Sequence, residues 1–311
     1  MSLNFAFDKV AHQYDTAFTH THIGIAQRNS VWAYLNEVFE KDFEKNSERN
    51  SERNFEKNFE VSGNKVQNIN VLEITCGTGE DAIWIAKKGF NVTATDISPQ
   101  MIEIAKQKLT KINTQQNTQN QININFQSID FQDINENYFK NKSENKFENK
   151  FDLVFSNFGG LNCASQENLI KWLNNDLLDI LNPKGRFIAV IMPKFCLWES
   201  LYFLCKFSPK KAFRRWTNTP QIANIDNLSS ISTWYHQPKM LQQNLQQKFD
   251  FVSLKGVGLF LPPSYLNNFF RNKTKLLGFL GKMEHFFTTI SILKGFFARI
   301  SDHYLIDFRK K

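Results

Sequence analysis

Residues 70–96, NVLEITCGTGEDAIWIAKKGFNVTATD, limit what this chain can fold into more than any other stretch. The run Ile69 to Ile74 reads as a buried parallel strand, and the glycine turn Cys76-Gly77-Thr78-Gly79 follows it directly. Ala82, Ile83, Ile85 and Ala86 then recur at helical spacing up to Lys87-Lys88-Gly89, a basic last turn with a glycine stop. A second strand, Asn91 to Thr95, delivers Asp96 at its carboxyl end. The pattern is a βαβ unit whose turn lets a ligand approach the backbone. Its acidic residue, 19 positions beyond Gly77, is placed to accept hydrogen bonds from the two hydroxyls of a ribose.

Gly77-x-Gly79-x-x-Ala82 satisfies the short dinucleotide pattern, so NAD is one ligand to weigh. Glu73, inside the end of the first strand, points elsewhere, because a carboxylate beside the turn is ill-suited to a pyrophosphate. The segment Glu73-Ile74-Thr75-Cys76-Gly77-Thr78-Gly79 resembles motif I of the class I S-adenosylmethionine-dependent methyltransferases, an acidic residue followed by G-x-G-x-G, with Thr75 in place of the first glycine. The resemblance implies S-adenosylmethionine as cofactor. It assigns to cofactor binding Tyr14 of the leading segment, and Glu73, Thr75, Cys76, Gly77, Thr78 and Gly79 of the turn. Asp96 and Ile97 follow strand 2, Met101 the next helix start, Asp130 and Phe131 strand 3, and Ser156 and Asn157 strand 4. The loop Ser156 to Asn162 corresponds to motif IV of the family and lacks the Asn/Asp-Pro-Pro-Tyr/Phe form used on amide or exocyclic amino nitrogens. That departure implies a small-molecule oxygen or carbon acceptor. The block Asn182-Pro183-Lys184-Gly185 before strand 5 resembles the family's L-x-P-G-G-x-F segment.

The rest of the chain supplies the remaining elements. Gln27 to Phe39 reads as an amphipathic helix with Val31, Tyr34, Leu35 and Val38 inward, and the family resemblance makes residues 1–39 a cover over the cofactor. Residues 40–68 degenerate into EKDFEKNSERN-like repeats too short to build a structural layer, and Asn113 to Asn125 and Asn137 to Lys150 are similar. All three read as expanded loops, which cost little because closure entropy grows only logarithmically with length. Ser98-Pro99 starts a helix over Met101 to Leu109; Ile122 to Phe126, Phe151 to Phe155 and Arg186 to Ile191 read as strands 3, 4 and 5. After the 69–192 core come an aromatic and basic insertion at 193–237, a helix and strand 6 at 238–261, a second insertion at 262–300, and a closing strand at 301–311. The expected fold is α/β: a Rossmann-like, seven-stranded, mostly parallel sheet with helices on both faces and a helical cap built from the two insertions.

Charge and cysteine usage narrow the class. The net charge of +8 divides into −4 for residues 1–192, with 20 Lys+Arg and 24 Asp+Glu, and +12 for residues 193–311, with 18 and 6. The basic character thus belongs to the C-terminal part. Cys76, Cys163, Cys196 and Cys205 form no C-x-x-C pair and no metal-ligand spacing, so no metal is expected and a reduced, cytoplasmic setting is the simplest account. No run of 18 apolar residues occurs, and the first residues lack a basic flank followed by an apolar run.

Together these features predict methyl transfer from S-adenosylmethionine to a small, lipophilic or aromatic acceptor at oxygen or carbon. The alternatives are an RNA methyltransferase using the basic cap, an NAD(P)-dependent oxidoreductase, and a non-catalytic homologue. No recognised RNA-binding module accompanies the fold, so nucleic acid is not the expected partner. His20, His22 and His236 are the candidate general bases, the first two competing with a reading as exposed turn residues. His303 is expected to pack in the last strand, and His12 and His285 have no motif context. Ser264 to Ile300 interleaves Phe and Leu with Lys and Arg, which suits either cap helices or peripheral contact with an anionic membrane. The oligomeric state is not specified by these features.

Overall fold

The computed structural model describes residues 3–44, 69–115, 121–140, 150–224, 230–270, 272–289 and 293–311. Seven strands form one sheet: β1 (Asn70–Ile74), β2 (Asn91–Asp96), β3 (Ile124–Ser128), β4 (Phe151–Ser156), β5 (Leu181–Ile191), β8 (Phe249–Val257) and β9 (His303–Lys310). Their order is β3-β2-β1-β4-β5-β9-β8, with β9 antiparallel to both β5 and β8 and the other pairings parallel. This is the expected seven-stranded Rossmann-like sheet. Strand order reverses between β1 and β4, which opens a crevice at the carboxyl ends of those strands.

Period-2 alternation divides the core between the two faces. Leu72, Ile74, Val154, Phe187 and Ile306 pack on one side with Trp172 and Leu177. Val71, Leu153, Phe155, Ile188 and Leu305 pack on the other with Val31 and Leu35 of the helix His22–Val38. Strands buried on both faces explain why β1 and β4 read as nearly continuous apolar runs.

Several boundaries differ from the sequence reading, each for a local reason. The helix from Pro99 runs to Gln115, through the start of the second polar stretch, and Asn113 closes its end. The Asn113 side chain donates to Ile122 O (2.8 Å) and accepts from Ile122 N (3.0 Å), so this part of the stretch is a structural clasp. Residues 45–68, 116–120 and 141–149 of the three polar stretches lie outside the described residues. Tyr138, within the third stretch, donates its hydroxyl to Gln127 (2.7 Å). A two-stranded sheet, β6 (Gln221–Asn224) with β7 (Ser230–Thr233), stands apart from the main sheet and gave no alternating signal strong enough to find.

A buried ion pair fixes the antiparallel edge. Arg186 of β5 meets Asp307 of β9 and Asp42, and Tyr34 donates its hydroxyl to Asp307 Oδ2 (2.6 Å). Burial pushes the Asp307 carboxyl up, and Arg186 opposes that rise. Asp42 also pairs with Arg309, so the start of the first polar stretch is anchored to the sheet. Removing one partner strands a buried charge. Arg186→Ala should therefore destabilise the fold by about 3–5 kcal/mol in urea unfolding, and a loss under about 1 kcal/mol would show that the pair is dispensable.

Candidate active site

The carboxyl ends of β1, β2 and β4 and the amino end of the antiparallel β9 converge on a cavity of about 360 Å³. At one end the wall is Tyr14, Thr75, Gly77, Asp96, Ile97, Met101, Asp130, Phe131 and Asn157. Asp96 is the focus of that end. Its Oδ2 accepts from Gly77 N (2.8 Å) and its Oδ1 from Ser98 N (2.9 Å), which leaves each oxygen spare acceptor capacity. Burial raises its carboxyl to about 6, against the pull of those two amides. Gly77 has φ 55°, and a Cβ there would meet only Tyr14 at 3.8 Å, so the backbone stands open to a close approach. Phe131 is buried edge-on against Trp172 (5.2 Å, 88°), while Asp130 caps its short helix by accepting from Gln132 N (3.0 Å).

The leading segment does cover this end, and two carboxylates, one buried and one half-buried, hold it there. Asp81 accepts from Arg28 Nε (3.1 Å), Trp32 Nε1 (2.6 Å) and Asn157 Nδ2 (3.0 Å), joining the helix His22–Val38 to the glycine turn and to the exit of β4. Asp15 accepts from Thr78 Oγ1 (2.6 Å) and pairs with Lys108 (2.6 Å). The five non-lining residues of the expected set do other work. Thr78 holds Asp15; Gly79 (φ 76°) lets its helix pack where a Cβ would lie 2.8 Å from Ala105 Cβ. Cys76 donates its amide to Thr95 O, and Ser156 bonds Thr75. Glu73 is fully buried with Oε2 unpartnered and does not line the cavity; burial, then Asp81, holds its carboxyl well above the ordinary range.

Thr75 and Phe158, at the ends of adjacent strands β1 and β4, are both in the left-handed region (φ 57° and 43°). Such conformations cost about 1–2 kcal/mol per residue and cluster at functional turns. The Thr75 hydroxyl lies 2.6 Å from Ile74 O and 2.8 Å from Ser156 Oγ. Its bulk fits because Gly160 lies opposite, where a Cβ would come within 2.1 Å of Thr75 Oγ1. The departure at Thr75 and the glycine at 160 are thus one feature, which the sequence held in two separate motifs.

The other end of the cavity was largely missed. Phe18, Gln27, Phe158, Met192, Glu199, Arg214, Arg215, Thr233, Tyr235, Asp302 and His303 line it. His303 Nδ1 lies 3.3 Å from Asp302 Oδ2, and the ring meets Phe158 edge-on at 5.6 Å. Burial pushes Asp302 up, but His303 and Arg215 outweigh it and hold the carboxyl well below its ordinary value. Arg215 bridges Asp302 Oδ1 (2.8 Å) and Glu199 Oε2 (2.9 Å), and its guanidinium stacks over Tyr235 (5.2 Å). None of the three histidines singled out by sequence reaches this cavity. His20 is exposed beside Glu80 (3.6 Å), and His22 lines an outer groove with His285. His236 is buried with Nε2 3.2 Å from Ala164 O, and burial lowers its pKa to about 4. His303 packs in the last strand as expected, yet at its first residue, where the ring looks into the cavity. The signal available was its position at a strand terminus, outweighed by the turn histidines' proximity to the cover segment.

A family model described as a methyltransferase domain matches residues 71–185. Residues 71–185 thus match a methyltransferase domain, and the sheet they belong to has the Rossmann-like methyltransferase fold. Demethylmenaquinone methyltransferase of Leptospira interrogans is similar to the chain at 25% identity over 203 residues, 63% of this chain and 73% of that protein. Other curated relatives are matched over about a sixth of their length: magnesium-protoporphyrin O-methyltransferase of Rhodobacter capsulatus is 49% identical over 39 residues, 12% of this chain and 17% of that protein. In fold, the chain resembles magnesium protoporphyrin IX methyltransferase of Synechocystis PCC 6803, solved with bound SAH, with a TM-score of 0.51, 13% identity, and coverage of 93% of this chain and 86% of that one. The methyltransferase domain carries the Asp96 end of the cavity, whereas Glu199, Arg215 and His303 come from outside it.

The Thr75–Gly160 contact yields a compensation test. Gly160→Ala should destabilise the domain by about 1–3 kcal/mol through overpacking, and adding Thr75→Gly should recover most of that loss in urea unfolding. Strictly additive losses would show that the two positions are not in steric contact.

Proposed function

We propose that the protein transfers a methyl group from S-adenosylmethionine to a small lipophilic acceptor, at a hydroxyl or an acidic carbon. The observation that carries this reading is a single cavity with a ribose-type acceptor, Asp96, at one end and a His–Asp pair, His303–Asp302, at the other. The residues present suit the cofactor. Asp96 accepts from the ribose hydroxyls, Gly77 allows backbone approach, and Ile97, Met101 and Phe131 offer apolar surface beside Asp130. When bound, the sulfonium supplies an activated methyl group. A nicotinamide dinucleotide suits the site less well, since Glu80 and Asp81 occupy the first turn of the helix where a pyrophosphate would sit, with Asp15 beside it.

The chain's own contribution is positioning, exclusion of water and proton removal. Phe18, Phe158, Met192 and Tyr235 provide apolar and aromatic walls for the acceptor. His303, with Nδ1 3.3 Å from Asp302 Oδ2 and no aligned hydrogen bond between them, is the cavity group that accepts the acceptor's proton, and the nearby carboxylate stabilises the imidazolium that results. Arg215, itself anchored by Glu199, holds Asp302 in place and ionised. Holding nucleophile and methyl carbon in line in a closed site supplies much of the acceleration in such a displacement.

Two measurements check this. Asp96→Ala should weaken S-adenosylhomocysteine binding by roughly 10- to 150-fold in calorimetry, the effect of losing a charge-assisted hydrogen bond. Because the ribose donates to the ionised carboxylate, wild-type affinity should be flat above a pH of about 6 and fall as pH drops below it. Asp96→Asn should flatten that profile, and an unchanged profile would remove Asp96 from the site. His303→Gln should lower kcat by about 10²–10⁴-fold while leaving S-adenosylhomocysteine affinity unaltered. Full activity in His303→Gln would eliminate it as the base.

A further inference from the structure

The two insertions share a charge pattern that methyl transfer does not explain. Apart from Asp226, which lies outside the described residues, residues 193–237 contain a single acidic residue, Glu199, and residues 262–300 a single one, Glu284. Each is 1% exposed. Glu199 is consumed by Arg214 and Arg215, and Glu284 accepts from the backbone amides of Gly258, Leu259, Phe260 and Leu261. Every exposed charge on the described surface of these insertions is therefore cationic: Lys206, Lys210 and Lys211 on the first, and Lys273, Lys275, Lys282 and Arg299 on the second.

Between those cations stand large apolar side chains that are exposed to solvent. Phe207 is 95% exposed at the end of the helix Leu197–Cys205, held there in the left-handed region at φ 52°. Trp216 is 69% exposed, and Leu201, Leu204 and Phe213 are exposed near it in sequence. In the helix Thr274–Thr289, Leu277 is buried, whereas Leu276, Phe279 and Phe286 are exposed. Phe279 and Phe286 are seven residues apart, as are Lys275 and Lys282, so aromatics and bases share the outward face. Lys273 sits over the exposed Phe269 ring at 3.4 Å to its centroid. The insertions touch through Trp198 and Phe270 (6.5 Å), and Glu199 and Pro263 both line the cavity.

We propose that the two insertions form one docking surface for an anionic lipid bilayer. Bases next to inward-free aromatics match that partner on both of its properties: headgroup charge attracts the lysines, and the interface receives Phe, Leu and Trp. An RNA backbone would satisfy the lysines and leave the leucines and Phe207 in water. No helix among the described residues is long and apolar enough to cross a membrane, so the contact is a surface one. Its use is to seat the cavity mouth where a lipophilic acceptor is dissolved, a consequence that depends on the proposed acceptor class although the docking does not.

Flotation of the full chain with vesicles tests this without reference to catalysis. Vesicles of phosphatidylcholine containing phosphatidylglycerol should carry the protein up, salt should weaken the association, and pure phosphatidylcholine should bind far less. Replacing Lys206, Lys210 and Lys211 together by Gln should reduce binding by roughly a hundredfold, at about fivefold per base. Phe207→Ser combined with Phe279→Ser should also weaken it, with the thermal transition unchanged because both side chains are exposed. The proposal is overturned by absence of flotation with anionic vesicles. It is equally overturned if a short RNA binds while vesicles do not, or if chromatography shows a dimer that the Phe207 and Phe279 substitutions dissociate.

Discussion

Right-handed crossovers constrain everything else in this molecule. Each parallel connection must leave a strand, cross over through a helix or loop, and return beside its neighbour, so the chain builds outward from β1 through β2 to β3 and then from β4 to β5. The two directions leave a gap at the carboxyl ends of β1 and β4 that no crossover fills. Asp96, Thr75 and Phe158 are all residues that end a strand or follow one by a position or two at that gap. Two carboxylates then close it: buried Asp81 and half-buried Asp15 draw the leading helices over the opening, using Arg28, Trp32 and Lys108 as partners. A charge buried this way is costly unless fully paired, which makes the cover a specific structure with defined partners.

The sequence exposed the part of the site that obeys local rules. The glycine turn, the 19-residue spacing to Asp96 and the apolar strands all lie within one βαβ unit, where periodicity and turn chemistry are sufficient. The Asp96 end was readable for that reason, and so was the sheet. The His303 end was not. Glu199, Arg215, Tyr235 and His303 are separated by up to 104 positions, from 199 to 303, and only the insertion's fold brings them to Asp302. Histidines near the leading segment attracted attention through sequence proximity, yet His20 and His22 point away from the cavity and His236 is packed against Ala164. Glu73 shows the reverse case. Its position in the motif was legible, but its orientation, into the protein rather than the cavity, depends on packing beneath the turn.

The polar stretches carry a related lesson. Low complexity suggested idle loops, yet Asp42, Asn113 and Tyr138 each anchor a described fragment of those stretches to the sheet or its helices. Composition averages over a segment, whereas a single side chain with a buried partner sets where the segment begins and ends.

The central claim is that one cavity joins a cofactor end at Asp96 to an acceptor end at His303. A crystal structure with S-adenosylhomocysteine tests it most directly. The account predicts ribose hydroxyls on the Asp96 carboxylate, adenine beside Asp130 and Phe131, and the thioether sulfur facing the half lined by Phe158 and His303. Ligand bound elsewhere, or lying across the His303 half with Asp96 untouched, would contradict it.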